Sequence, residues 1–205
     1  MRIAIVGGTG AFGRALARRL HELGEDDVAV GSRDPERARK AAEELGVDGG
    51  ANDEVVRNAD LVVLAVKSNA TLATAAALAE AIGKTPVLCV ASDLRFTDDG
   101  VLPGRHVGSL AEEVARVVRA PVASGMQSFA AANVIKGDPG DALICGDPGE
   151  AKERSLEFAK RLGARAIDVG PLANARALEG MTSVILNVNK RYEARAGIRL
   201  TGIPD

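Results

Sequence analysis

The chain contains few aromatic residues: its 205 residues include four Phe, one Tyr and no Trp. The core must therefore be built from Ala, Val, Leu and Ile, and a flat ligand would find few rings on which to stack. Cysteine is equally scarce, with only Cys89 and Cys145, and each lies in a short apolar run. We expect both to be buried strand residues rather than disulfide partners or metal ligands.

The sequence also lacks a surplus of positive charge and a long apolar segment. A formal net charge of −2 leaves nothing to hold nucleic acid phosphates or an anionic membrane. No apolar run approaches the roughly 18 residues of a membrane span, and no signal-peptide pattern precedes the apolar residues that begin at Ile3. These absences predict a cytoplasmic protein that acts on small molecules, without nucleic acid or membrane partners.

Short Val, Ile and Leu runs alternate with Ala-rich amphipathic stretches, which is the pattern of βαβ units. Strands are predicted near residues 2–6, 27–30, 61–66, 86–90, 120–123, 141–144 and 164–168. Helices are predicted near residues 12–23, 35–45, 70–82, 109–118 and 148–162. Asp34-Pro35 predicts an N-cap followed by the first helical residue, and residues 93–106 are predicted to be a loop.

A long amphipathic helix is predicted from Asn174 onward, because apolar residues recur there at helical spacing. The sequence leaves open whether its apolar stripe packs on the sheet or on a second subunit. The fold class predicted is α/β, with a Rossmann-like, doubly wound, mostly parallel sheet and a small C-terminal helical part.

The stretch GTGAFG at residues 8–13 matches G-x-G-x-x-G, directly after an apolar strand and at the start of a helix. Gly8 can make the tight turn, Gly10 lets the backbone approach a pyrophosphate, and Gly13 lets the helix pack close to the strand. The N-terminus of the helix would then face the phosphates. The motif predicts a dinucleotide site, the alternative being a turn that only packs a helix.

The end of the second predicted strand indicates which dinucleotide is bound. An enzyme that uses NAD places a carboxylate there, about 20 residues after the glycine motif, whereas this chain has Ser32 and Arg33. A carboxylate would repel a 2′-phosphate, while a hydroxyl and a guanidinium can both donate to it, and Arg37 one turn later could add a second cation. We therefore predict NADP(H), the alternative being that Arg33 is only a solvated surface residue.

Candidates for a catalytic proton donor are few. His21 lies in the first helix and His106 in or beside the predicted loop, while Lys190 and Tyr192 lie late in the final helix. No Ser/Tyr/Lys triplet of the short-chain reductase type is present. We predict no catalytic side chain and no metal, and instead direct hydride transfer between two cofactors, which depends on proximity and orientation.

Four segments together resemble the NADPH-dependent reductases of the deazaflavin coenzyme F420. They are MRIAIVGGTGAFGRALARRL, VGSRDPERA, DVGPLANARALEGMTSVILNVN and RYEARAGIRLTG. The resemblance extends over nearly the whole chain. It implies an NADP-binding Rossmann domain over residues 1–120, and a small part over residues 121–205 that completes the sheet and closes the acceptor cleft. It also implies a homodimer.

The resemblance also implies roles for individual residues. It assigns the pyrophosphate to Thr9, Gly10, Ala11 and Phe12, and the 2′-phosphate to Ser32, Arg33 and Arg37. It places Ala130 near the nicotinamide and implies an acceptor pocket that includes Ser92, Met126, Gln127 and Ile198. Hydride would pass directly between nicotinamide C4 and deazaflavin C5.

Two sites depart from residues common in that family: Lys67-Ser68 after the strand of residues 61–66, and Met126-Gln127 after the strand of residues 120–123. Both lie where the acceptor is expected, so two other functions stay open. One is an NADP-dependent reductase of a small imine or hydroxy acid, with Lys190 as its proton donor. The other is a non-catalytic domain that senses NADPH.

Overall fold

The computed structural model describes residues 1–24 and 27–203 and has the predicted α/β fold. Its strands are β1 (Arg2–Val6), β2 (Asp27–Ser32), β3 (Asp48–Ala51), β4 (Leu61–Leu64), β5 (Val87–Cys89), β6 (Leu94–Thr97), β7 (Gly100–Pro103), β8 (Val122–Gly125), β9 (Ala142–Gly146) and β10 (Ala166–Asp168). Its helices are α1 (Ala11–Leu23), α2 (Pro35–Leu45), α3 (Asn52–Val56), α4 (Ser68–Ile82), α5 (Leu110–Val117), α6 (Ala131–Lys136), α7 (Glu150–Arg161) and α8 (Ala175–Tyr192). Strands and helices thus alternate along most of the described chain.

Eight of these strands form one twisted sheet in the order β10-β9-β8-β5-β4-β1-β2-β3. Neighbouring strands are parallel except β8 and β9, which are antiparallel. The central strands carry apolar side chains on both faces, and all four residues of β4 are buried. The predicted mostly parallel, doubly wound sheet is thus confirmed.

Helices cover both faces of this sheet. Buried side chains of α1, α2, α6 and α7 pack on one face, and those of α3, α4, α5 and α8 pack on the other. Both cores are built mainly from Ala, Val, Leu and Ile, as predicted, and Phe158 is the largest fully buried side chain among the described residues. Cys89 and Cys145 are buried strand residues, as predicted, and burial raises the pKa of each thiol to about 12.

The predicted start of α2 is confirmed in atomic detail. The Asp34 carboxylate accepts the backbone N–H groups of Glu36 (3.1 Å) and Arg37 (3.2 Å), with Pro35 as the first helical residue. Asp34 therefore satisfies two of the N–H groups that a helix start leaves without a partner. Its carboxylate is occupied by the backbone rather than offered to a ligand.

The prediction of a loop over residues 93–106 was wrong, because this segment contains the antiparallel hairpin of β6 and β7. Its composition, rich in Gly, Pro and Asp, is typical of a loop, and the hairpin depends on a partner that is distant in sequence. The Asn187 side chain on α8 accepts the Val101 backbone N–H (2.9 Å) and donates to the Val101 carbonyl (2.7 Å). A side chain 86 residues away thus replaces a neighbouring strand.

Three short elements were missed by the sequence prediction: β3, α3 and α6. The sequence of β3 is DGGA, and two glycines in four residues disfavour a strand. Glycine is nevertheless needed, because a Cβ on Gly49 would lie 2.5 Å from the Cβ of Ala42 on α2. Glycine is therefore present in this strand because α2 packs too closely for a side chain, although glycine itself disfavours strands.

The sheet continues without interruption across residue 120, since β5 pairs with β8. The division into residues 1–120 and 121–205 stays a prediction. Among the helices of residues 1–24 and 27–203, none is long and apolar enough to cross a membrane.

Candidate active site

The glycine loop joins β1 to α1 and is shaped by contacts that exclude side chains. Gly7, which the sequence reasoning did not single out, has a φ of +84°, so it makes the left-handed turn. A Cβ on Gly8 would lie 2.5 Å from the Cβ of Val30, and one on Gly13 would lie 2.6 Å from the Gly7 carbonyl oxygen. These two glycines let β2 and α1 pack directly against the loop.

Gly10 differs from its neighbours because it faces open space. It is exposed, and among the described residues outside its own helix and its chain neighbours only the Gly7 carbonyl oxygen, at 3.3 Å, lies within 4 Å of an added Cβ. Gly10 is also the N-cap of α1, with no side chain to satisfy the first N–H groups of the helix and no acidic residue in the first turn. The start of α1, formed by Ala11 and Phe12, is therefore a ready anion site.

A cavity of about 470 Å³ lies against this loop at the carboxyl edge of the sheet. The residues that line it come from the ends of β1, β2 and β4 and from the starts of α2, α3 and α4: Gly7, Thr9, Gly10, Ser32, Arg33, Arg37, Asn52, Ala65, Val66, Lys67, Asn69, Ala70 and Thr74. The strand order reverses between β1 and β4, so the cavity lies at the topological switch point.

This dinucleotide cavity carries positive charge. Its lining includes Arg33, Arg37 and Lys67 and, among the described residues, no carboxylate. None of the three cations has an ion-pair partner in the part of the chain that the structure describes. The Ser32 hydroxyl accepts the Asp34 backbone N–H (3.2 Å) and retains its own donor. Unpaired cations and a hydroxyl donor favour a phosphate group, and no described lining residue is a carboxylate of the kind that binds the ribose hydroxyls of NAD.

Two residues of the cavity were not anticipated in it. Lys67 was expected beside the acceptor, and the structure places it in the dinucleotide cavity, at the start of α4. Asn52 follows β3 and is buried, and its Oδ1 has no hydrogen-bond partner among the described residues. The only sequence signal for Asn52 is its position after a strand, and the glycines of β3 hid that strand.

The predicted acceptor residues lie at the same edge of the sheet, farther along. Ser92 follows β5 and Met126 follows β8, which is three strand spacings, roughly 14 Å, from β1. The Ser92 and Thr182 hydroxyls are 2.7 Å apart, and Thr182 donates to the Gln127 carbonyl (3.0 Å). Thr182 belongs to α8, so this helix lies beside the residues predicted to contact the acceptor.

Met126 and Gln127 form a constrained turn at this edge. Met126 is buried and has a φ of +65°, which is unusual for a residue with a side chain. The Gln127 amide turns into the core, where its Nε2 donates to the Ser124 hydroxyl (2.7 Å) and the Cys89 carbonyl (3.3 Å). The predicted contact of Gln127 with substrate stays a prediction.

The C-terminal tail lies beside α6, which brings Ala130 and Ile198 into one region. Ala130 is the N-cap of α6, and Asn133, in the same helix, donates to the Arg195 carbonyl (2.7 Å). Ile198 accepts the Asp141 backbone N–H (2.7 Å). The roles predicted for Ala130 and Ile198 are not tested by these contacts.

The candidate proton donors do not line the dinucleotide cavity. His21 lines a cavity between α1 and α2, and His106 lines one beside the hairpin. Lys190 and Tyr192 are exposed on the last turns of α8, beside the hairpin tip. The structure therefore brings the glycine loop and the basic residues together in a cavity whose described lining contains no carboxylate, histidine or tyrosine.

The fold and this site are those of a dinucleotide-binding protein of the Rossmann class, with a basic cavity at the switch point. The family described as "NADP oxidoreductase coenzyme F420-dependent" matches residues 2–91. F420-dependent NADP reductases from Methanothermobacter marburgensis and Methanothermobacter thermautotrophicus are 37% and 34% identical over this whole chain and over 100% and 97% of their own lengths. The chain belongs to the family of F420-dependent NADP reductases.

A solved structure extends the similarity to the whole fold. The crystal structure of a candidate F420-dependent NADP-reductase from Arthrobacter sp. FB24 has a TM-score of 0.83 and 25% sequence identity, and the alignment covers 100% of both chains. The similarity of fold thus includes the C-terminal part of this chain, beyond the residues 2–91 that the family matches.

Proposed function

We propose that this protein is an oxidoreductase that transfers a hydride between NADP(H) and coenzyme F420. The observation that carries the proposal is the dinucleotide cavity, in which Arg33, Arg37 and Lys67 are unpaired and no described carboxylate competes with a 2′-phosphate. Two curated relatives that align with the full length of this chain are F420-dependent NADP reductases, which supports coenzyme F420 as the hydride acceptor.

The residues around the cavity would hold the two ends of the dinucleotide. The N–H groups of residues 9–12 would bind the pyrophosphate at the start of α1, where no side chain caps the helix. Ser32, Arg33 and Arg37 would bind the 2′-phosphate. Ala130, at the start of α6, would lie near the nicotinamide.

The acceptor side would be formed by residues that follow β5 and β8, by α8 and by the C-terminal tail: Ser92, Met126, Gln127 and Ile198. NADPH, when bound, supplies the hydride and coenzyme F420 accepts it, with a proton exchanged with water. The chain would contribute proximity, orientation and exclusion of water rather than an acid or base. In this proposal residues 1–120 bind the dinucleotide, and residues 121–205 complete the sheet and close the acceptor cleft.

A homodimer is part of the proposal. Large apolar side chains are exposed on the hairpin and on the outer face of α8, among them Phe96 (73%), Val184 (60%) and Tyr192 (70%). An exposed apolar surface of this kind is typical of an interface, and a two-fold pair is the commonest assembly. Light scattering after size exclusion should give twice the mass of one chain. The Val184→Asp variant should give the mass of a single chain.

The cytoplasm is the compartment we propose, and the two free thiols agree with a reducing environment. Cell fractionation with an antibody against the chain tests this directly.

The proposed reaction is tested by mixing purified protein with NADPH and oxidised coenzyme F420 and following the loss of deazaflavin absorbance. NADH serves as the parallel control, because it lacks the 2′-phosphate. Rapid bleaching with NADPH and slow bleaching with NADH is expected. NADPH binding without bleaching would indicate another acceptor or a sensor that does not catalyse.

A further inference from the structure

A second positively charged cavity lies between the hairpin and the first turns of α8. Its volume is about 630 Å³, and Arg95 of β6, Arg105 and His106 after β7, and Arg176 of α8 line it. Among the described residues, no Asp or Glu lines this cavity. This hairpin cavity is separate from the dinucleotide cavity, since the two share no lining residue.

The charges of the hairpin cavity are not balanced. Arg105 adds no positive charge, because its guanidinium binds two carboxylates, those of Asp93 (2.8 Å) and Glu113 (2.5 Å). Arg95 and Arg176 are exposed and have no ion-pair or hydrogen-bond partner in the described part of the chain. Two unpaired guanidinium groups therefore face one concave site in a protein whose net charge is −2.

The N-terminus of α8 adds to this positive potential. Asn174 is the N-cap of this 18-residue helix, but its side chain donates to the Val169 carbonyl and caps none of the N–H groups. Asn174 and Arg176 both line the hairpin cavity. The dipole of α8 and the two guanidinium groups thus favour an anion at the same place.

Residues that line or support the hairpin cavity are close in sequence to residues of the proposed acceptor side. Ser92, predicted to contact the acceptor, is followed by Asp93, whose carboxylate holds Arg105 in the cavity wall. On α8, Gly180 lines the cavity, and Thr182, two residues later, bonds to Ser92. The buried Glu179 carboxylate accepts the Ala111 N–H (3.2 Å) and so ties α8 to the start of α5.

We propose that the hairpin cavity binds the phosphate and carboxylate groups that the hydride acceptor carries beyond its reacting ring. This inference rests on the proposed function. Coenzyme F420 has a phosphodiester and glutamyl carboxylates attached to its deazaflavin through a flexible chain. Guanidinium groups bind both kinds of anion in a forked geometry, so Arg95 and Arg176 are suited to either.

The test compares two double variants with two acceptors. Arg95→Ala/Arg176→Ala removes both unpaired guanidinium groups of the cavity. Arg116→Ala/Arg119→Ala is the matched control, because these arginines are exposed near the end of α5 and line neither this cavity nor the dinucleotide cavity. The acceptors are coenzyme F420 and the deazaflavin ring with its sugar-alcohol chain alone, which lacks the phosphate and the glutamates.

The KM for coenzyme F420 should rise about 10-fold in the cavity variant, the effect of losing two exposed charge-assisted contacts. The KM values for the ring compound and for NADPH should not change, and the control variant should match the unaltered enzyme. The rise should shrink at 0.5 M salt, because exposed charges are screened. The mass in solution should be unchanged, which excludes loss of the dimer as the cause.

An unchanged KM for coenzyme F420, or an equal rise for both acceptors, would overturn the proposal. So would binding of inorganic pyrophosphate that depends on Arg95 and Arg176 but does not compete with coenzyme F420, because the cavity would then serve a separate anion. Failure of the unaltered enzyme to bind or reduce either deazaflavin would remove the proposed function itself. That outcome differs from turnover with no dependence on the cavity.

Discussion

The dinucleotide end and the acceptor end of this molecule are assembled in different ways. The dinucleotide cavity is formed by residues 7–74, and six of its thirteen lining residues belong to the glycine loop and to the segment from Ser32 to Arg37. The acceptor side joins residues after β5 and β8 to α8 and the C-terminal tail, through contacts such as Ser92 with Thr182, 90 residues apart. One N-terminal stretch of the chain therefore forms the first end, and packing between distant segments forms the second.

The cations of the dinucleotide cavity also differ from those that hold the C-terminal tail. In the dinucleotide cavity Arg33, Arg37 and Lys67 are left without partners. On the acceptor side Asp141 binds the Arg165 guanidinium (2.7 Å) and the Leu200 backbone N–H (2.6 Å), which fastens the tail. Unpaired cations are suited to a ligand, whereas the paired ones stabilise the structure.

The largest effect is expected in the glycine loop. Gly13→Ala should lower the free energy of unfolding by about 2–4 kcal/mol, because the new Cβ would lie 2.6 Å from the Gly7 carbonyl oxygen and the backbone would have to shift. Gly10→Ala is the matched control, since its Cβ would approach no atom closer than 3.3 Å. Urea denaturation measures both, and equal losses would contradict the assigned difference between packing and ligand-facing glycines.

Arg33 tests the charge of the dinucleotide cavity. Arg33→Ala should weaken NADPH binding by roughly 1.5–3 kcal/mol, the contribution of a charge-assisted hydrogen bond, and leave NADH binding nearly unchanged. Arg39→Ala is the control, because Arg39 is exposed on the same helix as Arg37 and does not line the cavity. Calorimetric titration gives both affinities, and equal losses for the two nucleotides would exclude the 2′-phosphate assignment.

Asp141 tests the fastening of the tail at the acceptor end. Its hydrogen bond with Arg165 lowers the pKa of this carboxyl group below its ordinary value. The stabilisation is therefore present above the unfolded-state pKa of about 3.9 and is lost as the pH falls through the lower folded-state pKa. The free energy of unfolding, measured by urea denaturation between pH 6 and pH 3, should depend less on pH in Asp141→Asn than in the unaltered protein.

At pH 7 Asp141→Asn should lower the free energy of unfolding by about 1–3 kcal/mol, because the buried side chain loses its charge-assisted pair with Arg165. Asp138→Asn is the control, since its partner Arg199 and Asp138 itself are both 71% exposed. An equal change in the two variants at pH 7 would contradict the special role of Asp141.

The smallest effect is expected at Lys190. Lys190→Ala should change kcat by less than about 3-fold, because this side chain is exposed at the hairpin tip and lies outside the dinucleotide cavity. Loss of turnover, measured with coenzyme F420 at saturating NADPH, would instead favour a reductase that needs a proton donor. The control is Lys40→Ala, an exposed lysine on α2 that lines neither cavity.

The difference between the two ends also explains what could be predicted from the sequence. The strand, glycine loop and helix of residues 2–23 are contiguous, and so are Ser32, Arg33 and the Asp34 cap, so local patterns were sufficient there. The hairpin of β6 and β7 was not predictable in this way, because it is held by Asn187 on a helix that begins 72 residues after β7 ends. Likewise, nothing in DGGA indicates a strand until α2 is known to press on Gly49.

The central claim is that hydride passes directly between the two cofactors. It is tested most directly with NADPH that carries deuterium at the transferred C4 position, mixed with oxidised coenzyme F420 in ordinary water. Mass spectrometry of the reduced deazaflavin should find one deuterium atom in each molecule. Reduced coenzyme without deuterium would contradict direct transfer between the cofactors.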